Sequence, residues 1–483
     1  ACSLFFYGWW NPQYLVLLIG SMAVNYKLGS YLGKKPDKKL LTVGIACNLG
    51  AIAYFKYAGF IAFNINLIAG TSYNLGNIIL PLAISFFTFQ QIAYLVDSYR
   101  GITKEYSPLH YALFVSFFPQ LIAGPIVHHK DMLPQFERQS AFRLNAKDVQ
   151  IGLSIFAIGL FKKTVLADGI AVYANPIFEL ADDGTPIDFF AAWSGSLAYT
   201  FQLYFDFSGY SDMAIGLARI FGIILPLNFY SPYKATNISE FWRRWHMTLS
   251  QFLRDYVYIA LGGNRSGTVK RYSNLMITML LGGLWHGAGW NFIIWGGLHG
   301  SYLVINHAWQ HLTHQVSSSV KSHKLYIICS WLITFLAVIV GWVFFRATSL
   351  EGALNILQGM LGLNGIYIPH ALVSRLHSFG VDLSFLAGIS VIGGSVFVKS
   401  WFWILSLLSC VLLLPNVQDI FSKQDCSLSK LSFETRNSFW PGYQMANLVR
   451  WKDTSQWAII TGTALALGLL TLSQVSEFLY FQF

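Results

Sequence analysis

The stretch that decides the fold is SNLMITMLLGGLWHGAGWNFIIWGGLHG, residues 273–300, because it is apolar enough to lie inside a lipid bilayer. No Asp, Glu, Lys or Arg occurs from Tyr272 to Val320, yet the stretch contains His286. An ionisable side chain at membrane depth is costly and marks a functional site by default. Small residues around His286 let neighbouring helices approach closely. The pattern therefore predicts a membrane-embedded histidine that faces other helices.

His286 also has the residue type that acid–base chemistry requires. The reference pKa of an imidazole is about 6.5, which suits removal of a proton from a hydroxyl group near neutral pH. A buried histidine that only hydrogen-bonds to a backbone carbonyl explains the same pattern. Both interpretations stay open at this point.

A second histidine, His246, lies in NISEFWRRWHMTLSQFLRDYVYIALGGNR, residues 237–265. Asn237 and Glu240 have the spacing of an N-cap and its N3 partner. As one helix, the segment has a basic polar face and an apolar stripe, a combination typical of helices that lie in the membrane interface. His246 falls at the edge of that stripe, so we expect it to point into the protein. Packing between two tryptophans is the alternative. The stripe consists of Trp242, Trp245, Leu249, Phe252, Leu253 and Tyr256.

The composition predicts an all-α, polytopic integral membrane protein. The 483 residues are 54% hydrophobic and 11% charged, whereas soluble domains have about 25% charged residues. Because a bilayer core of about 30 Å requires roughly 20 apolar residues per helix, we expect about 9 to 12 membrane-embedded helices. No glycine-rich phosphate loop is visible, which argues against an ATP-driven pump. The predicted spans are 12–33, 40–63, 78–97, 109–127, 150–175, 189–205, 208–225, 273–305, 325–346, 382–415 and 456–475.

Basic residues and helix breakers predict how the chain is arranged. Lysines between the first two spans place that loop in the cytoplasm, and the net charge of +10 is explained by such loops. Prolines at Phe118-Pro119 and Gly124-Pro125 predict a re-entrant segment within 109–148. Residues 417–453 are predicted to form a polar, exposed loop. Because the chain begins with Ala1 and has no basic stretch before its apolar part, we expect no cleavable signal and a natural start upstream.

The remaining polar motifs do not indicate a metal. Asp206 and Asp212 lie in YFDFSGYSDMAIG, residues 204–216, and this spacing allows a cation or hydrogen bonds to neighbouring Ser and backbone groups. A cation would need more oxygen ligands than the segment offers, so hydrogen bonding is the preferred interpretation. The five cysteines are dispersed and contain no CxxC pair, so neither a disulfide framework nor a zinc site is predicted.

Several of these segments together resemble the membrane-bound O-acyltransferases, specifically the bacterial branch that includes the membrane subunit of alginate O-acetylation. The similar segments span most of residues 81–300, which we define as the motif-bearing core of a single membrane domain over residues 1–483. Agreement across several segments is more specific than any one short motif. They are PLAISFFTFQQIAYLVDSYRG, YALFVSFFPQLIAGPIVHHKDMLPQF, YFDFSGYSDMAIGLARIFGI, NISEFWRRWHMTLSQFLRDYVYIALGGNR and GGLWHGAGWNFIIWGGLHG.

The resemblance implies a function that the composition does not show. His286 in GLWHG corresponds to the family's active-site histidine, and His246 in RWH corresponds to its second histidine. Membrane helices are expected to form a funnel or tunnel around them. The branch passes an acyl group from a cytoplasmic donor to a carbohydrate outside, usually with an extracytoplasmic acetyltransferase partner. This implies acetyl-coenzyme A as donor, no tightly bound cofactor, and a multi-pass protein of the bacterial inner membrane. A sister branch instead transfers D-alanine from a carrier protein to teichoic acid.

Further residues are predicted to contact substrate. Arginine forms bidentate contacts with phosphates, so we expect the Arg-rich segment to face the donor. The alternative is that these arginines only satisfy the cytoplasmic bias of positive charge. A lipid or polysaccharide transporter without covalent chemistry is the competing class, although no internal symmetry is evident. A structural scaffold is the third. The predicted substrate-binding residues are Arg243, Arg244, Arg254, Asp255, Trp285, Asn291 and His299.

Overall fold

The structure is a computed structural model that describes residues 2–76, 78–103, 107–122, 124–138, 141–265, 267–314, 318–429, 439–446, 448–472 and 479. These residues are predominantly helical, which confirms the all-α class. Four described helices are long and apolar enough to cross a membrane. They are Pro12–Lys34, Lys38–Ala69, Lys324–Arg346 and Gly394–Ile420.

The first part of the chain forms eleven α-helices and two π-helical turns in its described residues. The π-helical turns are Ala53–Tyr57, between α3 and α4, and Lys162–Ala167, between α9 and α10. The α-helices are α1 Cys2–Trp10, α2 Pro12–Lys34, α3 Lys38–Ile52, α4 Ala58–Ala69, α5 Ile84–Tyr99, α6 Pro108–Ser116, α7 Phe118–Leu121, α8 His129–Phe136, α9 Ala146–Phe161, α10 Asp168–Asp182 and α11 Phe189–Ile220.

The second part of the chain combines the longer helices α14, α15, α17 and α20 with shorter elements. The α-helices are α12 Ile238–Trp242, α13 Met247–Phe252, α14 Thr268–His286, α15 Trp290–Leu312, α16 Ser318–Lys321, α17 Lys324–Arg346, α18 Leu350–Met360, α19 His370–Ser378, α20 Gly394–Leu413, α21 Val417–Ile420, α22 Pro441–Met445 and α23 Ser455–Leu470. The other elements are the 3₁₀-helices Pro232–Lys234 and Ser384–Leu386, the π-helix Leu253–Tyr258, and the parallel strands β1 Ile368–Pro369 and β2 Ala387–Gly388.

The centre of the molecule is α11, which packs closely against α9 through paired glycines. A Cβ atom added at Gly159 would lie 2.6 Å from the carbonyl oxygen of Gly209. Gly152 has the same relation to Gly216, with a Cβ-to-oxygen distance of 2.6 Å. Gly209 packs against α9, and α11 continues through it without a break. The two spans predicted at 189–205 and 208–225 are therefore wrong as separate helices, and one helix of 32 residues replaces them.

The apolar stretch at 273–305 forms the helical pair α14 and α15. A Cβ atom added at Gly283 would lie 2.2 Å from the carbonyl oxygen of Phe292, and one at Gly296 would lie 2.4 Å from that of Met279. The prediction that small residues let these helices approach closely is confirmed. The break predicted between 109 and 127 is also present, since α6 ends before Phe117 and α7 begins after it.

The segment at 417–453 is not simply an exposed loop. Asp419 is 1% exposed and accepts a hydrogen bond from the Tyr230 hydroxyl at 2.8 Å. Trp440 and Tyr443 are also buried. Residues 430–438 and 447 lie outside the described residues. The prediction of exposure is therefore wrong for Asp419, Trp440 and Tyr443, since the two aromatic residues pack against Tyr230. Other described residues of the segment, such as Lys423, Leu448 and Lys452, are exposed.

Candidate active site

His286 is the last residue of α14, and its imidazole is enclosed by aromatic rings. Its side chain has an exposed fraction of 5%. The ring centroids of Trp285, Trp295 and Phe345 lie 4.9, 5.0 and 5.0 Å from its own. Because α15 and α17 supply two of these rings, the imidazole faces other helices, as the sequence predicts.

The helix ends at His286 because the next residues are extended. Gly287 and Gly289 have φ angles of −162° and −166°. A Cβ atom added at Gly287 would lie 2.0 Å from the Phe292 ring. Position 287 therefore requires glycine, because any side chain there would overlap the Phe292 ring. The histidine is thus held at a helix C-terminus, where the last carbonyl groups lack intrahelical partners.

His246 lies at a break between α12 and α13. Its φ and ψ angles are 42° and 54°, in the left-handed region, which costs a residue other than glycine roughly 1–2 kcal/mol. The ring is 1% exposed and meets the Phe207 ring edge-on, with centroids 4.8 Å apart. The histidine therefore points into the protein, as expected from the stripe.

The single interfacial helix predicted around His246 is wrong, although its N-terminus is confirmed. The Asn237 side chain accepts a hydrogen bond from the backbone N–H of Glu240 at 2.9 Å. Beyond that first turn, the backbone bonds to a neighbouring loop. The Met247 N–H donates to the carbonyl of Asn228 at 2.9 Å, and the Thr248 hydroxyl donates to the Asn228 side chain at 2.6 Å. These tertiary bonds replace helical ones and break the helix at His246.

The indole of Trp285 brings the two histidines together. Its ring centroid lies 4.9 Å from that of His286 and 6.1 Å from that of His246. Both imidazoles therefore lie against the same indole ring. The two histidines lie in separate segments of the sequence and are neighbours in the fold.

A small cavity lies beside His286. Its volume is about 10 Å³, which is close to the minimum that holds one water molecule. The site is therefore largely closed to bulk solvent, a condition that strengthens electrostatic interactions inside it. The cavity is lined by Leu203, Phe207, Trp245, His286, Trp295, Trp342 and Phe345.

Arg244 is part of the framework under His246. Its side chain is buried and donates to the Glu240 carboxylate at 2.7 Å and to the Tyr443 hydroxyl. Its guanidinium also lies 5.6 Å from the ring centroid of Tyr230. These contacts join the segment that carries His246 to α12 and α22. Arg244 is therefore held inside the protein, where its contacts position the segment that carries His246.

The other predicted charged residues are more accessible. Arg243 is exposed, and Arg254 is exposed and donates from Nε to the Asp255 carboxylate at 2.8 Å. An exposed pair of this kind contributes at most about 1 kcal/mol to stability. Arg243 and Arg254 can therefore meet an anionic molecule, whereas Arg244 is committed to neighbouring side chains.

Asn291 and His299, on α15, have different surroundings. The Asn291 amide donates to the carbonyls of Ala347 and Ser349 at 2.8 and 3.0 Å, which ties the start of α15 to the end of α17. His299 is fully buried, with its ring centroid 4.8 Å from that of Trp295. Neither ring nitrogen of His299 has a hydrogen-bond partner among the described residues. His299 is therefore adjacent to the aromatic wall of the site, whereas the Asn291 amide is occupied elsewhere.

The two aspartates of α11 are held in ion pairs. Asp212 accepts from Lys162 at 2.7 Å, and Asp206 lies 2.9 Å from Lys163, which also contacts Asp168 at 2.7 Å. The expected hydrogen bonds to serines are thus replaced by lysines of the π-helical turn after α9. Among the described residues, no group of three His, Cys, Asp or Glu side chains is placed to hold a metal ion.

Lys56 was not singled out by the sequence but contacts the His286 segment. Its ammonium group donates to the backbone carbonyls of Trp285 and His286. The sequence does contain a feature that indicates Lys56. It is an isolated charge within the predicted span 40–63, and a charged residue inside a membrane span is a candidate functional residue. The partner lies 230 residues away in the chain, so no local pattern identifies it.

Comparison with known proteins places these motifs in a family. The profile of MBOAT, the membrane-bound O-acyltransferase family, matches residues 97–350. A peptidoglycan O-acetyltransferase of Helicobacter pylori is 49% identical over 397 residues, covering 76% of this chain and 74% of that protein. A probable alginate O-acetylase of Pseudomonas putida is 44% identical over 372 residues, covering 74% and 73%.

A more distant similarity connects the chain to a different acyl group. A teichoic acid D-alanyltransferase of Bacillus subtilis is 32% identical over 235 residues, which cover 46% of this chain and 58% of that protein. All three relatives are named as acyl-transferring enzymes, and the matched profile includes both histidine segments. This protein therefore belongs to the membrane-bound O-acyltransferase family and is an O-acyltransferase.

Proposed function

We propose that this enzyme transfers an acetyl group from acetyl-coenzyme A on the cytoplasmic side of the bacterial inner membrane to hydroxyl groups of a polysaccharide outside. The relatives that share about three quarters of the chain are named for O-acetylation of alginate or peptidoglycan. The proposal includes an extracytoplasmic acetyltransferase as partner and no tightly bound cofactor. The acceptor is defined here by its chemistry, a carbohydrate hydroxyl group.

In the proposed reaction, His286 is the general base. It removes the proton of the attacking hydroxyl while the oxygen adds to the thioester carbonyl, forming a tetrahedral intermediate. Collapse of the intermediate breaks the carbon–sulfur bond, and the protonated imidazole returns its proton to the leaving thiolate. The products are an acetyl ester and free coenzyme A, and His286 is returned to its neutral form.

His246 assists in this proposal, either by orienting His286 or by donating a hydrogen bond to the developing oxyanion. In a site with little water, one such donor contributes about 3–4 kcal/mol. Exclusion of water also protects the thioester from hydrolysis. The proposal is supported by the position of His286, which is buried at a helix end beside a small cavity and contacts the same Trp285 indole as His246.

The test uses purified protein in lipid nanodiscs with its partner and labelled acetyl-coenzyme A. We expect His286→Ala to abolish formation of both coenzyme A and acetylated product, and His246→Ala to reduce them at least about tenfold. His311→Ala is the control, since His311 is exposed on α15. Near-native transfer by His286→Ala would refute the role of that imidazole. Wild-type behaviour of His246→Ala would refute the two-histidine site.

D-alanyl transfer from a carrier protein is the second candidate, favoured by the similarity to the Bacillus subtilis enzyme. The same preparation, supplied with either acetyl-coenzyme A or a D-alanyl carrier protein, separates the two. We expect product only from acetyl-coenzyme A. Product formed only from the D-alanyl carrier would replace the acetyl proposal and leave the histidine chemistry unchanged.

A further inference from the structure

Two adjacent residues of the N-terminal region bind the end of the helix that carries His286. The Lys56 ammonium donates to the carbonyl of Trp285 at 2.6 Å and to that of His286 at 3.0 Å. The Tyr57 hydroxyl donates to the carbonyl of Leu284 at 2.6 Å. Three successive carbonyl groups at the end of α14 are therefore bound by side chains from one neighbouring turn.

These bonds supply what the end of α14 lacks. The last four carbonyl groups of an α-helix have no intrahelical donor, and the extended Gly287 does not provide one by continuing the helix. An unpaired backbone group away from water is costly at membrane depth. A cation near a helix C-terminus is also favoured by the negative end of the helix dipole. Lys56 meets both requirements, and Tyr57 adds a third hydrogen bond.

No ion pair explains the placement of Lys56 among the described residues. No described carboxylate lies within 4.0 Å of its ammonium group, unlike the paired Lys162 and Lys163. It belongs to a predicted membrane span and lies 5.9 Å from the ring centroid of Trp285. Both Lys56 and Tyr57 come from a π-helical turn, a departure from regular helix that is frequent at functional sites.

We propose that Lys56 and Tyr57 are positioning residues that fix the backbone of His286 and thereby aim its imidazole. With these carbonyl groups held, the backbone from which the ring projects is restrained, and the ring keeps a narrower range of positions. The inference rests on the proposed role of His286 as base. A shift of about 1 Å in a reacting group can lower the rate about a hundredfold, so loss of these bonds acts on turnover even though neither residue touches the substrate.

Two variants and two matched controls test this. Lys56→Met removes the donors but keeps much of the side-chain length, and Tyr57→Phe removes a single oxygen atom. Lys27→Met and Tyr54→Phe are the controls, because both residues are exposed, Lys27 on α2 and Tyr54 in the same π-helical turn as Lys56 and Tyr57. Thermal unfolding of each variant establishes that it is folded. If Lys56→Met does not fold, Tyr57→Phe carries the test.

The first readout is kinetic. We expect Lys56→Met to lower kcat by about tenfold or more with KM for acetyl-coenzyme A changed less than twofold, because the reacting group is displaced while binding is kept. Tyr57→Phe should have a smaller effect in the same direction. Unchanged kcat in both variants would overturn the proposal, as would a change confined to KM.

The second readout does not depend on activity. Histidine ring carbons are labelled with ¹³C, and the His286 resonance is identified by its loss in His286→Ala. We expect this resonance to shift in Lys56→Met and Tyr57→Phe, with the other histidine resonances and both controls unchanged. An unmoved His286 resonance in both variants overturns the positioning role. If His286→Ala keeps full activity, the proposed base is wrong, whereas the resonance still decides whether Lys56 and Tyr57 orient the ring.

Discussion

The indole of Trp285 stacks on the ring of Phe89, with the ring centroids 5.3 Å apart and the planes inclined by 19°. The same indole contacts the imidazoles of His286 and His246. Helix α5, which carries Phe89, therefore supports the ring that contacts both histidines. Loss of this indole is expected to disturb both at once.

We predict that Trp285→Leu lowers kcat at least about tenfold, since displacement of a reacting group by a fraction of an ångström is sufficient. The assay is acetyl transfer from labelled acetyl-coenzyme A. Trp309→Leu is the control, because Trp309 is exposed on α15. Normal turnover by Trp285→Leu would mean that the indole does not hold the histidines.

Arg243 and Arg244 are adjacent in sequence but are predicted to respond differently to substitution. Arg244→Met leaves the Glu240 carboxylate without its buried partner, which is expected to lower the free energy of unfolding by about 3–5 kcal/mol. Arg243→Met should leave it within about 0.5 kcal/mol, because the side chain is exposed. Reversible unfolding in mixed micelles measures both. Equal effects would contradict the assignment of Arg244 to the framework.

Lys163 is predicted to be more important for stability than either carboxylate that it contacts. Lys163→Met removes the ammonium group that contacts both Asp168 and Asp206, whose side-chain exposed fractions are 9% and 2%. Removing one partner of a buried pair costs about 3–5 kcal/mol. The double variant Lys163→Met/Asp206→Asn should regain part of this loss. A double variant less stable than Lys163→Met would show that charge is not the cause.

Two glycine-to-alanine substitutions are predicted to have opposite effects on stability, one in the contact between α9 and α11 and one on the open surface of α3. Gly159→Ala places a Cβ atom 2.6 Å from a backbone oxygen of α11, so the helices must separate, and we expect a loss of about 1–3 kcal/mol in unfolding free energy. Gly50→Ala on α3 meets nothing within 4 Å and is expected to gain up to about 1 kcal/mol from helix propensity. Thermal unfolding of the two variants tests the difference in sign.

Part of this architecture is readable from the sequence because its physical cause is local. The uncharged stretch around His286 and the nearby glycines predict a buried histidine between close helices, and both are present. The Asn237 cap is likewise local, since the bond joins residues three apart. In these cases, residues close together in the chain determine the local structure.

Other features depend on partners that are distant in the chain. The break at His246 arises from bonds to Asn228, and the amphipathic pattern of the segment gives no sign of it. The two lysines after α9 find carboxylates on α11 about 43 and 50 residues later. Lys56 finds carbonyls 229 and 230 residues later. Hydrophobic periodicity reports which face is buried, but it does not report which element buries it.

The left-handed backbone of His246 separates the conformation of the chain from the chemistry of its side chain. Glycine adopts this conformation readily, whereas alanine is strained there as histidine is. A glycine at this position would thus relax the turn while deleting the imidazole. The strain of this turn is therefore the cost of placing an imidazole where the backbone alone would favour glycine.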